Sequence, residues 1–269
     1  VVRLVGSEMC IRDRLRGGMD GLCALPIKGD KNFEKLRSKI NLDRTLPLSS
    51  DFDLHPALKT FKSLWDQNQS AAVHATNIPY TGRSHFDGQN LMESGGKIPY
   101  QEKTGWLGRG MKIAGLTGNG LALALPMPLL IRGVPMNNNY FPVGHKLPYP
   151  STLKIIQEAY KQYDEKLLSE NLEIIQTREL SNTSSDESWV LASNAANELS
   201  KPDGPRVAVF EVDGFDTHAA QGGTNGAHAD CLSDYDNIVR SLKSSMTQEA
   251  FNNTLILTLT EFGRTIKQN

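Results

Sequence analysis

An α/β fold with a mostly parallel sheet covered on both faces is what the pattern of this chain predicts, on three observations. Two buried-type runs rich in β-branched residues, PRVAVFEVD and NTLILTLTEF, flank HADCLSDYDNIVRSLKSSM. That middle stretch sets Leu232, Tyr235, Ile238, Val239, Leu242 and Met246 on one helical face. A strand, loop, helix, strand unit closes by a right-handed crossover into parallel strands buried on both sides. Polar clusters follow those strands: Asp213, Asp216 and His218 after the first, Glu261, Arg264 and Thr265 after the second. In open sheets of this kind ligands sit beyond the carboxyl ends of the strands.

The remaining elements follow in chain order. Residues 1–14, VVRLVGSEMCIRDR, load Arg12, Asp13 and Arg14 onto what would be the tail of a first strand. The stretch resembles translated adapter read-through at the broken end of an assembled reading frame, and it is set aside as foreign to the fold; the alternative is a genuine, irregular strand. Residues 15–269 are then expected as one domain, cut short at its C-terminal end after TEFGRTIKQN. RLRGGMDGLCALPI places Gly17, Gly18 and Gly21 around Asp20, a tight turn that brings backbone close to whatever Asp20 faces. KNFEKLRSKI reads as a short helix. LHPALKTFKSLWDQ reads as a better one, with Pro56 in its first turn and Leu58, Phe61, Leu64 and Trp65 as its apolar stripe. AAVHATNI reads as a short buried strand with His74 in the core, and TGRSHFDGQNLMESGG as a turn and a helix ended by Gly95 and Gly96. GLALALPMPLLIRG is a second buried strand with its exit. Residues 151–177, opened by a capping Ser151, form a long outer helix. TRELSNTSSDES is loop-like, and a helix runs from Trp189 to Leu199.

Composition narrows the function classes. With 39% hydrophobic and 22% charged residues the chain is of ordinary globular type, and a formal charge of -1 gives no footprint for nucleic acid or anionic lipid. No apolar run reaches the roughly 18 residues a membrane span needs, the longest being broken by two prolines. Cys10, Cys23 and Cys231 match neither a disulfide framework nor thiolate ligand spacing.

Carboxylates and imidazoles gathered from several strand ends are the oxygen and nitrogen donors that a divalent cation requires. Asp213 or Asp216 with His218 is such a group, and the two aspartates stand as alternatives across a glycine turn. Either aspartate alone is equally a turn residue. Ser84, at a helix start where free N–H groups bind anions, is a candidate nucleophile. It also fits the S-x-x-D capping pattern of Ser84-His85-Phe86-Asp87. Arg83 beside it could grip an anionic ester or lie in solvent. Glu261 and Arg264, three apart beyond a strand, read either as site residues or as a structural ion pair. His55 and His228 are expected as capping or surface histidines.

LRGGMDGL, LHPAL, GRSHFDGQ, TGWLGR, VDGFDTHAAQ and TEFGRT occur in an order and spacing that resemble the bacterial DUF1501 family, itself similar to the sulfatase and alkaline-phosphatase superfamily. That resemblance implies a three-layer α/β sandwich of alkaline-phosphatase type and an exported, periplasmic or secreted protein. It implies a divalent metal (zinc, calcium or magnesium) and a small anionic ester substrate or an exported polymer as partner; the rival reading is a non-catalytic exported binding or assembly protein that retains the fold. Carried over, Asp20 is the first ligand, Ser84 the nucleophile position, Asp213 or Asp216 with His218 the next pair, and Glu261 the acid of an Asp-His pair. Arg83 and Arg264, candidates from the residues alone, complete the catalytic set with Ser84. Phe262 departs from the superfamily pattern, in which histidine follows that acid.

Overall fold

The computed structural model of the chain describes residues 9–123, 127–139, 150–162 and 188–267, with backbone alone at 138–139, 150 and 161–162. Contacts divide the chain into two compact units, residues 1–141 with 187–269, and residues 142–186. In the first unit the chain runs through β1 (Met9–Leu15), α1 (Gly21–Ala24), α2 (Lys31–Leu36), β2 (Leu46–Pro47), β3 (Asp53–Leu54) and α3 (Lys59–Asp66). It continues through α4 (His85–Ser94), α5 (Trp106–Ile113), β4 (Gly120–Ala122), a 3-10 turn at Leu129–Ile131 and β5 (Asn138–Asn139). In the second unit the described element is α6 (Pro150–Gln162). Its first turn opens with Pro150, so Ser151 lies inside the helix and is not its cap. The rest of the long helix expected to residue 177, and most of TRELSNTSSDES, lie outside the described residues. The first unit resumes with α7 (Ser188–Leu199), β6 (Val207–Val212), α8 (Ala227–Ser245), α9 (Gln248–Asn252) and β7 (Thr254–Thr260).

Five strands form one sheet in the order β5-β4-β6-β1-β7, every pairing parallel. The mixed α/β class with a mostly parallel sheet is therefore the observed one. Side chains alternate with the period of two that a strand imposes. Ile11, Leu15, Ala208, Phe210 and Val212 enter one apolar cluster with α3, α7 and α8, while Cys10, Val207 and Val209 enter another with Met111, Leu130 and Ile131. Small residues let α7 come close: Ala192, Ala195 and Ala196 are fully buried.

Several expectations change. Residues 9–14 of the segment set aside at the start of the chain occupy the centre of the sheet: β1 lies between β6 and β7, so the β6-α8-β7 unit is parallel but its two strands are not neighbours. The position is geometrically central and chemically adverse. Arg12, Asp13 and Arg14 are all buried, Arg12 at 1% exposure with none of its three guanidinium nitrogens hydrogen-bonded. Arg14 ion-pairs with Glu93 and Glu211. AAVHATNI is not a strand; Val73 is exposed and His74 stacks on Phe52 at 4.7 Å. His55 and His228 are buried, not surface groups. His55 accepts the Ala57 N–H at Nδ1 and meets the Gly223 carbonyl through Nε2, so it does cap locally, from inside.

Candidate metal centre

Four segments deliver the site: the turn after β1, the start of α4, the loop after β6 and the loop after β7. The close approach of the first and third depends on Gly17, at φ +116°; a Cβ there would lie 2.2 Å from the Asp216 nitrogen. Gly17 also ties the site together. Its N–H donates to Glu261 Oε1 at 2.9 Å, and its carbonyl accepts from Arg264 at 3.2 Å. Gly88 performs a similar service for α4, since a Cβ there would meet the Phe262 ring at 3.2 Å.

Asp216 is the hub. Its Oδ1 stands 2.9 Å from His218 Nε2, 3.2 Å from His85 Nε2 and 3.1 Å from an Arg264 guanidinium nitrogen. Ligand atoms of His85, Asp216 and His218 all lie within 4.8 Å of one another, the one such group found among the described residues. Asp213, across the Gly214 turn, is 76% exposed in its side chain and among the described residues reaches only Arg16, at 3.6 Å. Of the two alternatives, the structure turns Asp216 toward His218.

Glu261 stands behind His85. Its carboxylate is 1% exposed, and Oε1 takes the His85 Nδ1–H at 2.8 Å, the Gln89 amide at 3.1 Å and the Gly17 N–H. Burial alone would raise its pKa, but the hydrogen bonds from His85, its own backbone, Gln89 and Gly17 outweigh it and hold the carboxyl below the ordinary value. An ionised Glu261 only accepts, so the proton of His85 is drawn to Nδ1. That leaves the Nε2 lone pair facing the Asp216 carboxylate, an arrangement that a second proton or a cation relieves. Two imidazole nitrogens and one carboxylate oxygen at this separation fit a borderline divalent ion with open positions, and the Glu261 contact is the outer carboxylate such ligating histidines use. The expected Glu261–Arg264 pair does not form. Arg264 goes to Asp216, and Phe262 packs its ring 4.6 Å from that of His85.

Asp20 is brought to a neighbouring buried position, not into the His85 group. Arg37 ion-pairs with its Oδ2, and Gln221 donates to the same oxygen at 2.7 Å. Burial pushes its pKa up, and the Gln221 bond and Arg37 charge more than reverse this, so the carboxyl is held low. His228, with Asp20 among the charges that act on it, is pushed down to about 4 by burial and is neutral; neither ring nitrogen has a hydrogen-bond partner. Ser84 caps α4, its hydroxyl accepting the Asp87 N–H at 3.3 Å. Arg83 is exposed and makes no hydrogen bond or ion pair among the described residues.

His85 is the site residue that the sequence reading missed. The S-x-x-D cap accounted for its neighbourhood, and its partner Glu261 is 176 residues away. A signal was present: an imidazole at the first position of a helix that follows a Gly-Arg turn, with a strand-end acid to receive its Nδ1–H.

A family described as "Protein of unknown function (DUF1501)" matches residues 175–269. The matched stretch contains Asp213, Asp216, His218, Glu261 and Arg264; Asp20, Arg83, Ser84 and His85 precede it. No curated protein and no solved structure matches the chain.

Proposed function

We propose that this chain is part of an exported, metal-dependent hydrolase acting on phosphate or sulfate esters, on a three-layer sandwich of alkaline-phosphatase type. The observation that carries the reading is the convergence of His85, Asp216 and His218 with Glu261 locked behind His85. Apolar clusters on both faces of a parallel sheet support the sandwich. Nitrogen donors favour zinc over calcium or magnesium, which prefer all-oxygen shells. When bound, such an ion polarises an ester oxygen and stabilises developing negative charge. Everything else falls to the chain. Glu261 fixes the tautomer and ring plane of His85, Arg264 holds Asp216 in place, and Ser84 presents a hydroxyl among the free N–H groups of the first turn of α4. Arg83, exposed beside it, supplies a cation for the ester's anionic group.

Metal titration of the purified full-length protein, followed by assay on an aryl phosphate and an aryl sulfate, tests the proposal. One divalent ion lost in His85→Ala and His218→Ala, with hydrolysis abolished in Ser84→Ala, is the expected result; wild-type protein that takes up no metal overturns it. A second reading, a non-catalytic binding or assembly protein on the same fold, is favoured by the engaged Ser84 hydroxyl. It predicts that Ser84→Ala lowers stability by about 1 kcal/mol and changes nothing else.

A further inference from the structure

The ligand atoms of the metal centre come from two segments. His85 opens α4, whereas Asp216 and His218 lie in the loop after β6. An ion bound between them takes over the contacts they make with one another, so other groups must hold the gap. From the β7 side Glu261 holds His85 and Arg264 holds Asp216. On the β1 side a single side chain spans both segments.

That side chain is Arg16, the residue that follows β1. Its guanidinium is used in three directions: one terminal nitrogen donates to Glu211 Oε2 at 2.9 Å, the other donates to Gln89 Oε1 at 3.0 Å, and Nε lies 3.6 Å from Asp213 Oδ1. Its main chain joins the same loop. The Arg16 N–H donates to the Val212 carbonyl at 2.8 Å, and its carbonyl accepts the Phe215 N–H at 3.2 Å, one residue before Asp216. The β6 side is thus gripped through Glu211, Val212 and Phe215, and the α4 side through Gln89.

Gln89 turns this grip into an orientation. Arginine only donates, so the amide oxygen of Gln89 faces Arg16 and the amide nitrogen faces Glu261 Oε1, 3.1 Å away. Gln89 stands four residues beyond His85, on the same face of α4, and both side chains meet that one carboxylate oxygen. Two contacts a helical turn apart resist rotation of α4 about its axis.

We propose that Arg16 is a positioning residue of the metal centre, which sets the distance between His85 and the Asp216–His218 loop. Its hydrogen bonds go to neighbours of the ligands and not to the ligands themselves. A fork is required: lysine carries one ammonium and can engage Glu211 or Gln89, not both. Ligating groups must be held to within about 0.5 Å of their working geometry, so the loss of one arm is felt at the ion. As an account of metal affinity the proposal rests on the metal-dependent reading; as an account of how two segments are spaced it does not.

The full chain is compared with Arg16→Lys and Arg16→Met. In metal-free protein labelled at histidine, ring protons of His85 and His218 should show a nuclear Overhauser contact in wild type, their ring centroids being 6.2 Å apart and edge to face, and lose it in both variants. Zinc affinity from a competitive-chelator titration should fall about tenfold in each, the low end for partners outside the ligand sphere, and the visible spectrum of the cobalt(II) form should change shape. Arg16→Lys keeps a cation beside Glu211 and serves where Arg16→Met does not fold. In a Gln89→Leu background, where the α4 arm is already cut, Arg16→Lys should cost no further zinc affinity. A histidine contact absent from wild type, or a histidine contact or zinc affinity that survives the substitutions, overturns the proposal and leaves the hydrolase reading standing. Additive losses in the double variant overturn it as well, since Arg16 would then act on the fold at large. Wild-type protein that takes up no zinc, with the histidine contact still lost in the variants, removes the hydrolase reading and keeps Arg16 as the spacer.

Discussion

Replacing Arg12 by isoleucine should stabilise this protein, a direction opposite to that of most core substitutions. Arg12 sits mid-strand in β1, in register with Val209 on one side and Leu257 on the other, where central parallel strands carry aliphatic residues. Its guanidinium has no hydrogen-bond partner, and its burial is offset only in part, by the face of Trp106, 5.6 Å away, and by the charge of the neighbouring Asp13. Burial, and then the like charge of Arg14, push its pKa down to about 10 from 12.5. A depression of this size means that the cationic form is disfavoured in the fold by about 3 kcal/mol at any pH below 10. Isoleucine removes that cost and adds β-branched packing, so Arg12→Ile should gain about 3 kcal/mol, or roughly 6–12 °C in Tm for a domain of this size. Urea unfolding followed by circular dichroism, at fixed pH and with m unchanged, measures it. Arg12→Lys is the control and should gain nothing. An isoleucine variant no more stable than the parent would refute the reasoning, since the guanidinium must then find solvent or a partner inside the sheet.

Three further outcomes follow from the same geometry. Asp13, raised to about 6 by burial against the weaker pull of the Thr258 hydroxyl bond, keeps its proton longer folded than unfolded. Stability should therefore fall by about 3 kcal/mol as pH climbs from 4 to 6 and level off above, a slope that Asp13→Asn removes in urea midpoints taken across that range. Glu261→Gln should leave the fold in place but weaken divalent-metal binding about 10–100-fold in a competitive-chelator titration, because His85 loses the anion that fixes its tautomer; unchanged affinity would mean that His85 is oriented by something else. Gly17→Ala should cost roughly 3 kcal/mol or more, since the new Cβ overlaps Asp216 backbone at a φ of +116°. A thermal melt within a degree of wild type would show that the turn can retreat.

How far the sequence revealed this structure varied with the physics of each element. The β6-α8-β7 unit was plain because its runs are long, periodic and bounded, and the apolar stripe of α8 outweighs its two buried polar residues, His228 and Asp236. β1 was hidden by three charges that local chemistry places outside a core, and only the pairing of both neighbours to it reveals its position. His74 and Val73 erred in the other direction: AAVHATNI has the composition of a strand but pairs with none among the described residues. At the site, Asp216, His218 and the neighbourhood of Ser84 were readable as strand-end and helix-start chemistry. Partnership was not. Nearness in sequence suggested Glu261 with Arg264, whereas the convergence of strand ends gives Glu261 to His85 and Arg264 to Asp216. Between Asp213 and Asp216 the chain turns at Gly214, at a φ of +101°, and Asp216 is the one that meets His218 and His85.

The double use of Gly17 has a consequence for assembly. One residue after β1 grips both Glu261 and Arg264, which arrive only with β7, so the His85 group cannot take its final shape until β7 has docked beside β1. An ion bound there would act as a latch on the completed sheet and would not drive its formation. At a free concentration a hundredfold above Kd it would deepen the native well by about 2.7 kcal/mol and slow the undocking of β7 ahead of any other strand. Hydrogen exchange in Thr254–Thr260, with and without metal, would read that latch directly.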